Sequence, residues 1–195
     1  MTHSDRFSAA IKAIDAANAA DPNRIPHDGL DEPKELVYGR QMSGWLIRLK
    51  PEASEALRLA VRAQHIRRWE SPRSAYPEGR IGYLKWRKDL QDLHARVTAE
   101  ILEKVGYDPE TIGRVRALLH KERLKADEDS QALEDVACLV FLEHYFAEFA
   151  AKHPEDKVVK IIARTWRKMS PRGRELALTL NLTPEAKSLV EKALA

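Results

Sequence analysis

The sequence predicts an all-α, single-domain helical bundle of about eight or nine helices, on three observations. Apolar residues recur with a period near 3.6 along almost the whole chain. No run alternates β-branched and aromatic residues for long enough to propose a sheet. Proline, glycine and capping residues punctuate the apolar stripes at helical intervals. A length of 195 residues fits one domain, 1–195, with a sizeable core.

In the first helix Phe7, Ile11, Ile14 and Asn18 share a face after the possible caps Ser4 or Asp5, and Asp21-Pro22-Asn23 ends it. Residues 21–31 are expected as a loop. A second helix runs from about Glu32 to Leu49, with Pro33 in its first turn. A third follows from Pro51 and carries Leu57, Val61, His65 and Trp69 at steps of four. Residues 71–82, with two prolines and two glycines, form the most irregular segment. The fourth helix, roughly 83–105, is closed by Gly106, and Asp108-Pro109-Glu110 opens a fifth that ends near Arg123. The sixth, about Gln131 to Lys152, holds the most apolar stretch, VACLVFL. Shorter helices follow at 155–168, after Ser170-Pro171, and after the cap Thr183 with Pro184 and Glu185.

Thirty-three basic against thirty acidic residues leave a formal charge of +3, too balanced to indicate nucleic acid by charge alone. Apolar runs are too short to cross a bilayer and the first residues carry no secretory pattern, so a soluble cytoplasmic protein without membrane contact is expected. The single cysteine, Cys138, rules out an internal disulfide and a cysteine-based zinc cage.

Ionisable residues interrupt four stripes that should face the core. His65 follows Leu57 and Val61; His94 lies between Leu90 and Val97; Glu122 continues Ile112, Val115 and Leu119; Asp135 stands between Ala132 and Leu139. A buried unpaired carboxylate is costly, so Glu122 and Asp135 call for partners or a cation. Two imidazoles and two carboxylates converging in a bundle suit a divalent metal, Mn, Fe or Zn. His120 is the alternative to Glu122, with Glu134 and Glu143 as further carboxylates. The structural alternative is that the histidines are satisfied core residues, that Asp135 bonds a helix terminus, and that Glu122 pairs with Lys121, Arg123 or Lys125.

The order of these residues resembles the HD superfamily of metal-dependent phosphohydrolases. EALRLAVRAQHIRRWE resembles the helix of the His-Asp pair and maps its histidine onto His65. LHARVTAEILEKVGYD and VRALLHKE resemble the downstream histidine helices, pointing to His94 and His120; LEDVACLVFLEHY resembles the distal aspartate helix, pointing to Asp135. The resemblance spans about residues 36 to 146 and implies an HD-like core over about 32–152 with a helical extension over 153–195. It departs where Ile66 replaces the paired aspartate and where ELVYGRQMSGWL lacks the first histidine. Over nearly its whole length the chain, with AQHIRRWE, GYLKWR and TWRKMSPRG, resembles an uncharacterised bacterial and fungal family known as a domain of unknown function. KMSPR at 168–172 resembles a class I aminoacyl-tRNA synthetase loop, but the strand–helix alternation of that fold is missing.

Arg67, Arg68, Arg73 and Arg80 surround the irregular segment after His65, with Lys85, Arg87 and Lys88 beyond it. Guanidinium groups bind phosphate bidentately. The expected activity is therefore metal-assisted phosphoester hydrolysis. A metal on His65, His94, His120 and Asp135 activates water with Glu122, Arg68 and Arg73 neutralise charge, and Arg67, Arg80 and Trp69 complete the substrate site. The alternative is a metal-free module for a small anion or nucleotide, with His65 and Asp135 as a buried pair; RNA binding through RTWRKMSPRGR at 164–174, with Trp69, Trp86 and Trp166 stacking bases, comes third.

Overall fold

The computed structural model describes residues 3–122, 124 and 126–194, and over them the all-α expectation holds. Ten helices are present: α1 (His3–Ala19), α2 (Lys34–Leu49), α3 (Glu55–Arg62), α4 (Gly79–Val105), α5 (Pro109–Leu119), α6 (Glu128–Val140), α7 (Phe146–Ala151), α8 (Glu155–Lys168), α9 (Pro171–Leu178) and α10 (Pro184–Leu194). The expected sixth helix is α6 and α7 joined through a π-helical turn over Phe141–Tyr145. Such turns insert an extra residue and re-aim the side chains around them, often at functional sites.

The segment 21–31 is not simply a loop. Strands β1 (Arg24–His27) and β2 (Leu30–Pro33) pair antiparallel, His27 opposite Leu30 and Ile25 opposite Glu32. The turn between them is Asp28-Gly29, both with positive φ, the two-residue turn whose twist matches paired strands. Its signal was present as Asp-Gly, but two prolines and a lack of alternation in the flanks concealed the strands. Asp21 does more than end α1: its Oδ2 accepts from the Glu35 N–H at 3.0 Å and so caps the first turn of α2.

The core lies where α2, α3, α5 and α6 meet, with α1 and α4 packed around them. Met42, Trp45, Leu57, Val61, Leu102, Leu118, Leu133 and Leu139 are fully buried in it. A smaller cluster of Phe146, Val158, Ile162 and Ala186 unites α7, α8 and α10. No helix among the described residues is long and apolar enough to cross a membrane.

Two boundaries differ from expectation and matter for the site. Helix α3 stops at Arg62, so the step-of-four stripe breaks before His65, which sits in a tight turn. Helix α4 begins at Gly79 rather than near 83, and Gly82 in its first turn lies against the Pro77 carbonyl. A Cβ on Gly82 would lie 1.9 Å from that carbonyl oxygen, both of them backbone-fixed. Gly82→Ala is therefore expected to destabilise by about 2 kcal/mol, roughly a 5 °C fall in a thermal midpoint. An unchanged midpoint would show that the 77–82 turn yields freely.

Candidate functional site

The turn after α3 is fixed from two sides. Arg67 takes φ +53°, and its N–H donates to Asn18 Oδ1 at 3.1 Å, which gives the buried asparagine of α1 its role. The Ile66 carbonyl accepts from His94 Nδ1 at 2.7 Å. Because a carbonyl only accepts, Nδ1 carries the proton, and Nε2 is left with a lone pair. That Nε2 is buried without a hydrogen-bond partner.

His65 lies between this ring and α2. It stacks on Tyr38 at 3.9 Å and 8°, its ring centre is 6.0 Å from that of His94, and its Nδ1 is 3.2 Å from Glu35 Oε2. The Glu35 contact lacks hydrogen-bond alignment, since Oε2 has no hydrogen-bond partner. Tyr145, presented by the π turn, stands 6.0 Å from Tyr38 and donates its O–H to Gln41 Oε1 at 2.9 Å. Glu35 therefore faces Tyr38 and His65 from the first turn of α2, with no matched cation bonded to it.

Three cations, Arg68, Arg87 and Lys121, also reach this place. Arg68 lies 4.8 Å over the Trp86 ring, whose Nε1–H donates to the Ser71 carbonyl at 2.9 Å. Arg87 donates to the Tyr83 hydroxyl at 3.4 Å. Lys121, just after α5 with φ +56°, bonds Glu134, and Lys168 Nζ is 3.4 Å from the same carboxylate. Left-handed φ at a non-glycine residue costs energy and clusters at sites. Among the described residues two of three such non-glycine positions, Arg67 and Lys121, border this one, and Asp28 in the hairpin is the third. Gln64, His65, Arg68, Arg87, His94 and Lys121 together line a cavity of about 40 Å³.

Burial sets the protonation states. It lowers His65 well below the usual histidine value, and Arg68, Lys121 and Arg87 push the same way. His94 falls to about 3, from burial first and the neighbouring His65 second. Burial raises the Glu35 carboxyl against the opposing pull of Arg68, and lowers Arg68. Burial works to raise Glu134 too, but Lys121 and Lys168 outweigh it and hold the group ionised. The site thus has neutral rings in a field of positive charge.

Of the expected metal set, the structure brings together His65 and His94 alone. Asp135 accepts from the Ser170 N–H at 2.8 Å, from the Ser170 hydroxyl and from Gln131 Nε2 at 2.9 Å, capping α9. It is not the partner of His65, a place that Glu35 takes. His120 Nδ1 lies 3.5 Å from Asp92 Oδ1 beside α4. The Glu122 side chain is exposed, its carbonyl accepting from Ser130 Oγ at 3.1 Å; Arg123 and Lys125, its suggested partners, lie outside the described residues. Among the described residues no three of His, Cys, Asp and Glu are grouped to hold a metal ion. Glu143 accepts instead from Trp45 Nε1 at 2.6 Å.

The proposed substrate residues also divide. Arg68 lines the cavity, whereas Arg67 pairs with Glu70 at 3.2 Å and Arg73 donates to the Tyr76 carbonyl at 2.9 Å. Arg80 is exposed and Trp69 half-buried. In the 164–174 stretch Arg174 lies over Trp166, Arg172 pairs with Glu175 and Lys168 with Glu134, so these groups already have partners. Cys138 is buried, its thiol pushed up to about 12 by burial first and Glu134 second. A larger groove of about 470 Å³ runs past Lys50, Asp127 and Asp135, but its charges satisfy Asp129, Arg114 and Ser170 respectively. Chemistry, rather than size, singles out the His65 cavity.

Glu35 and Gln64 are site residues that the sequence reading missed. Glu35 shares a face with Tyr38 and Met42, a buried-stripe signal that its place in a first turn disguised as ordinary helix-start chemistry. A family model described as "Domain of unknown function (DUF4202)" matches residues 8–190. No curated protein and no solved structure matches the chain.

Proposed function

We propose that this chain, which belongs to the DUF4202 family, binds a small phosphorylated anion in the His65 cavity, with a neutral imidazole beside it to exchange a proton. One observation carries this reading. Among the described residues Arg68 and Arg87 form no ion pair, although both reach the cavity and the chain pairs comparable guanidinium groups elsewhere. Arg62 holds both oxygens of Asp15 at 2.7 Å, and Arg114 holds Asp127 at 2.8 and 3.0 Å. Two unneutralised forks converging on one small cavity match the oxygens of a phosphoryl group. A bound phosphate anion also favours the protonated form of His65, so the ring gains a proton as the anion enters and gives it up as the anion leaves.

Metal-assisted hydrolysis is the second reading, and the unpartnered Nε2 of His94 and Oε2 of Glu35 favour it. Titration calorimetry with inorganic phosphate and methyl phosphate, with and without Mn, Fe or Zn, separates the two. Saturable binding without metal is expected, weakened about 10- to 100-fold in both Arg68→Gln and Arg87→Gln, the loss of a charge-assisted pair. No heat with either anion unless metal is present, or equal binding in the variants, would sink the anion reading.

A further inference from the structure

Helix α4 extends the site beyond its cavity. Back along the helix from His94, steps of three and four give Gln91, Arg87, the neighbours Leu84 and Tyr83, and Arg80. His94, Gln91 and Arg87 line the cavity. Leu84, Tyr83 and Arg80 continue the same face one and two turns further, and they are exposed. The link is physical, because Arg87 donates to the Tyr83 hydroxyl and the Tyr83 ring is 5.9 Å from Trp86, which lies under Arg68.

This part of α4 leaves an unusual amount of apolar surface in water. Ile81 is 86% exposed, Leu84 54% and Tyr83 43%; Leu84 and Ile81 follow Arg87 at steps of three and so adjoin each other, while Tyr83 flanks Arg87 on its other side. Isolated exposed apolar residues need no explanation, but a contiguous group beside a binding site does. Residues 79–88, GRIGYLKWRK, contain four bases and no acid; Lys85 and Lys88 pair with Asp89 and Asp92, while Arg80 and Arg87 form no ion pair among the described residues. The cavity itself, at about 40 Å³, has room for about three water-sized groups, enough for a phosphoryl head and too little for a nucleoside. Outside it, Arg68 covers one face of Trp86, and the exposed Leu84 and Ile81 beyond Arg87 offer aliphatic carbon rather than amides for a base or sugar.

We propose that the anion is the head of a free single-chain amphiphile, a phosphate monoester whose aliphatic chain lies along the Arg87–Leu84–Ile81 row of α4, over Leu84 and Ile81. The proposal rests on the anion site described above and names its substrate class. The probes are methyl phosphate, octyl phosphate and octyltrimethylammonium, compared by calorimetry on the full chain below micellar concentrations. Octyl phosphate is expected to bind about 30-fold more tightly than methyl phosphate, the gain of partly burying a few methylenes. In the Ile81→Ser/Leu84→Ser double variant, which alters exposed side chains alone, that advantage should shrink to about threefold while methyl phosphate binding stays unchanged. If methyl phosphate binds and octyl phosphate is no tighter, the amphiphile is overturned and the anion site stands. Equal binding of the cationic octyl probe also overturns it, since the chain would then be held without its head. If neither phosphate binds, the anion site itself has failed.

Discussion

Asp135→Ala is expected to lower folding stability by about 3 kcal/mol, because it strips the cap from α9 in a buried setting. Asp135 is 2% exposed, and its two oxygens accept from the Ser170 N–H, the Ser170 hydroxyl and Gln131 Nε2. Ser170 Oγ in turn accepts from the Gly173 N–H at 3.0 Å, so carboxylate, hydroxyl and helix end form one chain of bonds. Bonds to a carboxylate contribute more than bonds to a neutral acceptor, and the half-buried Ser170 donors lose theirs, while Gln131 Nε2 keeps the Lys168 carbonyl. The carboxylate also faces the positive end of α9. Gly173 belongs to the same device: a Cβ there would meet the Asp135 carboxyl carbon at 2.8 Å, so glycine at this position is what lets the acid approach the helix end. Denaturant unfolding of Asp135→Ala and Asp135→Asn checks this, with the asparagine retaining part of the loss as an acceptor. A stability change below about 0.5 kcal/mol, the range of ordinary surface substitutions, would mean that Asp135 is not held for the cap.

The same residue shows where sequence reading reaches its limit. Its burial was legible from Ala132, Asp135 and Leu139 on one stripe of the most apolar helix, and the cost of burying it correctly demanded partners. Which partners was not legible, since Ser170 is 35 residues away and nothing in the local pattern couples α6 to α9. His94 was likewise placed correctly on a buried stripe. His65 was expected to be at least partly buried on a helix, and it is partly buried but not on one: the apolar period continues through it while the helix does not, as Arg67 is turned into the left-handed region and tied to Asn18. The helices themselves were readable because each carries its own period and caps, as with Asp108 before Pro109 and Ser170 before Pro171. The site was only half readable because it is assembled from the first turn of α2, a turn after α3, the middle of α4 and the residue after α5. Long-range convergence of that kind leaves no periodic trace.

The stability of this fold should fall steeply with acid well before most carboxylates are fully titrated, and His94 is the main reason. In the unfolded chain a histidine titrates near 6.5, whereas buried His94 titrates at about 3. Between those values the unfolded chain binds a proton that the folded chain excludes, so acid favours unfolding. The contribution of the neutral ring is fully present above about pH 6.5 and is lost as pH falls toward about 3, an effect on the order of 4 kcal/mol. His65, lowered well below its usual value by burial and then by Arg68, adds to the same slope in the same direction. The rings are coupled, so the slope belongs to the pair. Denaturant unfolding between pH 7 and 4 reads it directly. Asparagine at position 94 keeps a donor near the place of Nδ1, which bonds the Ile66 carbonyl, and removes the titrating ring. His94→Asn should therefore fold at pH 7 with a modest loss yet show a clearly flatter fall toward pH 4. Saturating methyl phosphate should also flatten the fall in the wild-type protein, because a bound phosphate anion gives a protonated imidazole in the folded state a partner. Parallel pH profiles for wild type and His94→Asn would show that this ring does not carry the acid sensitivity.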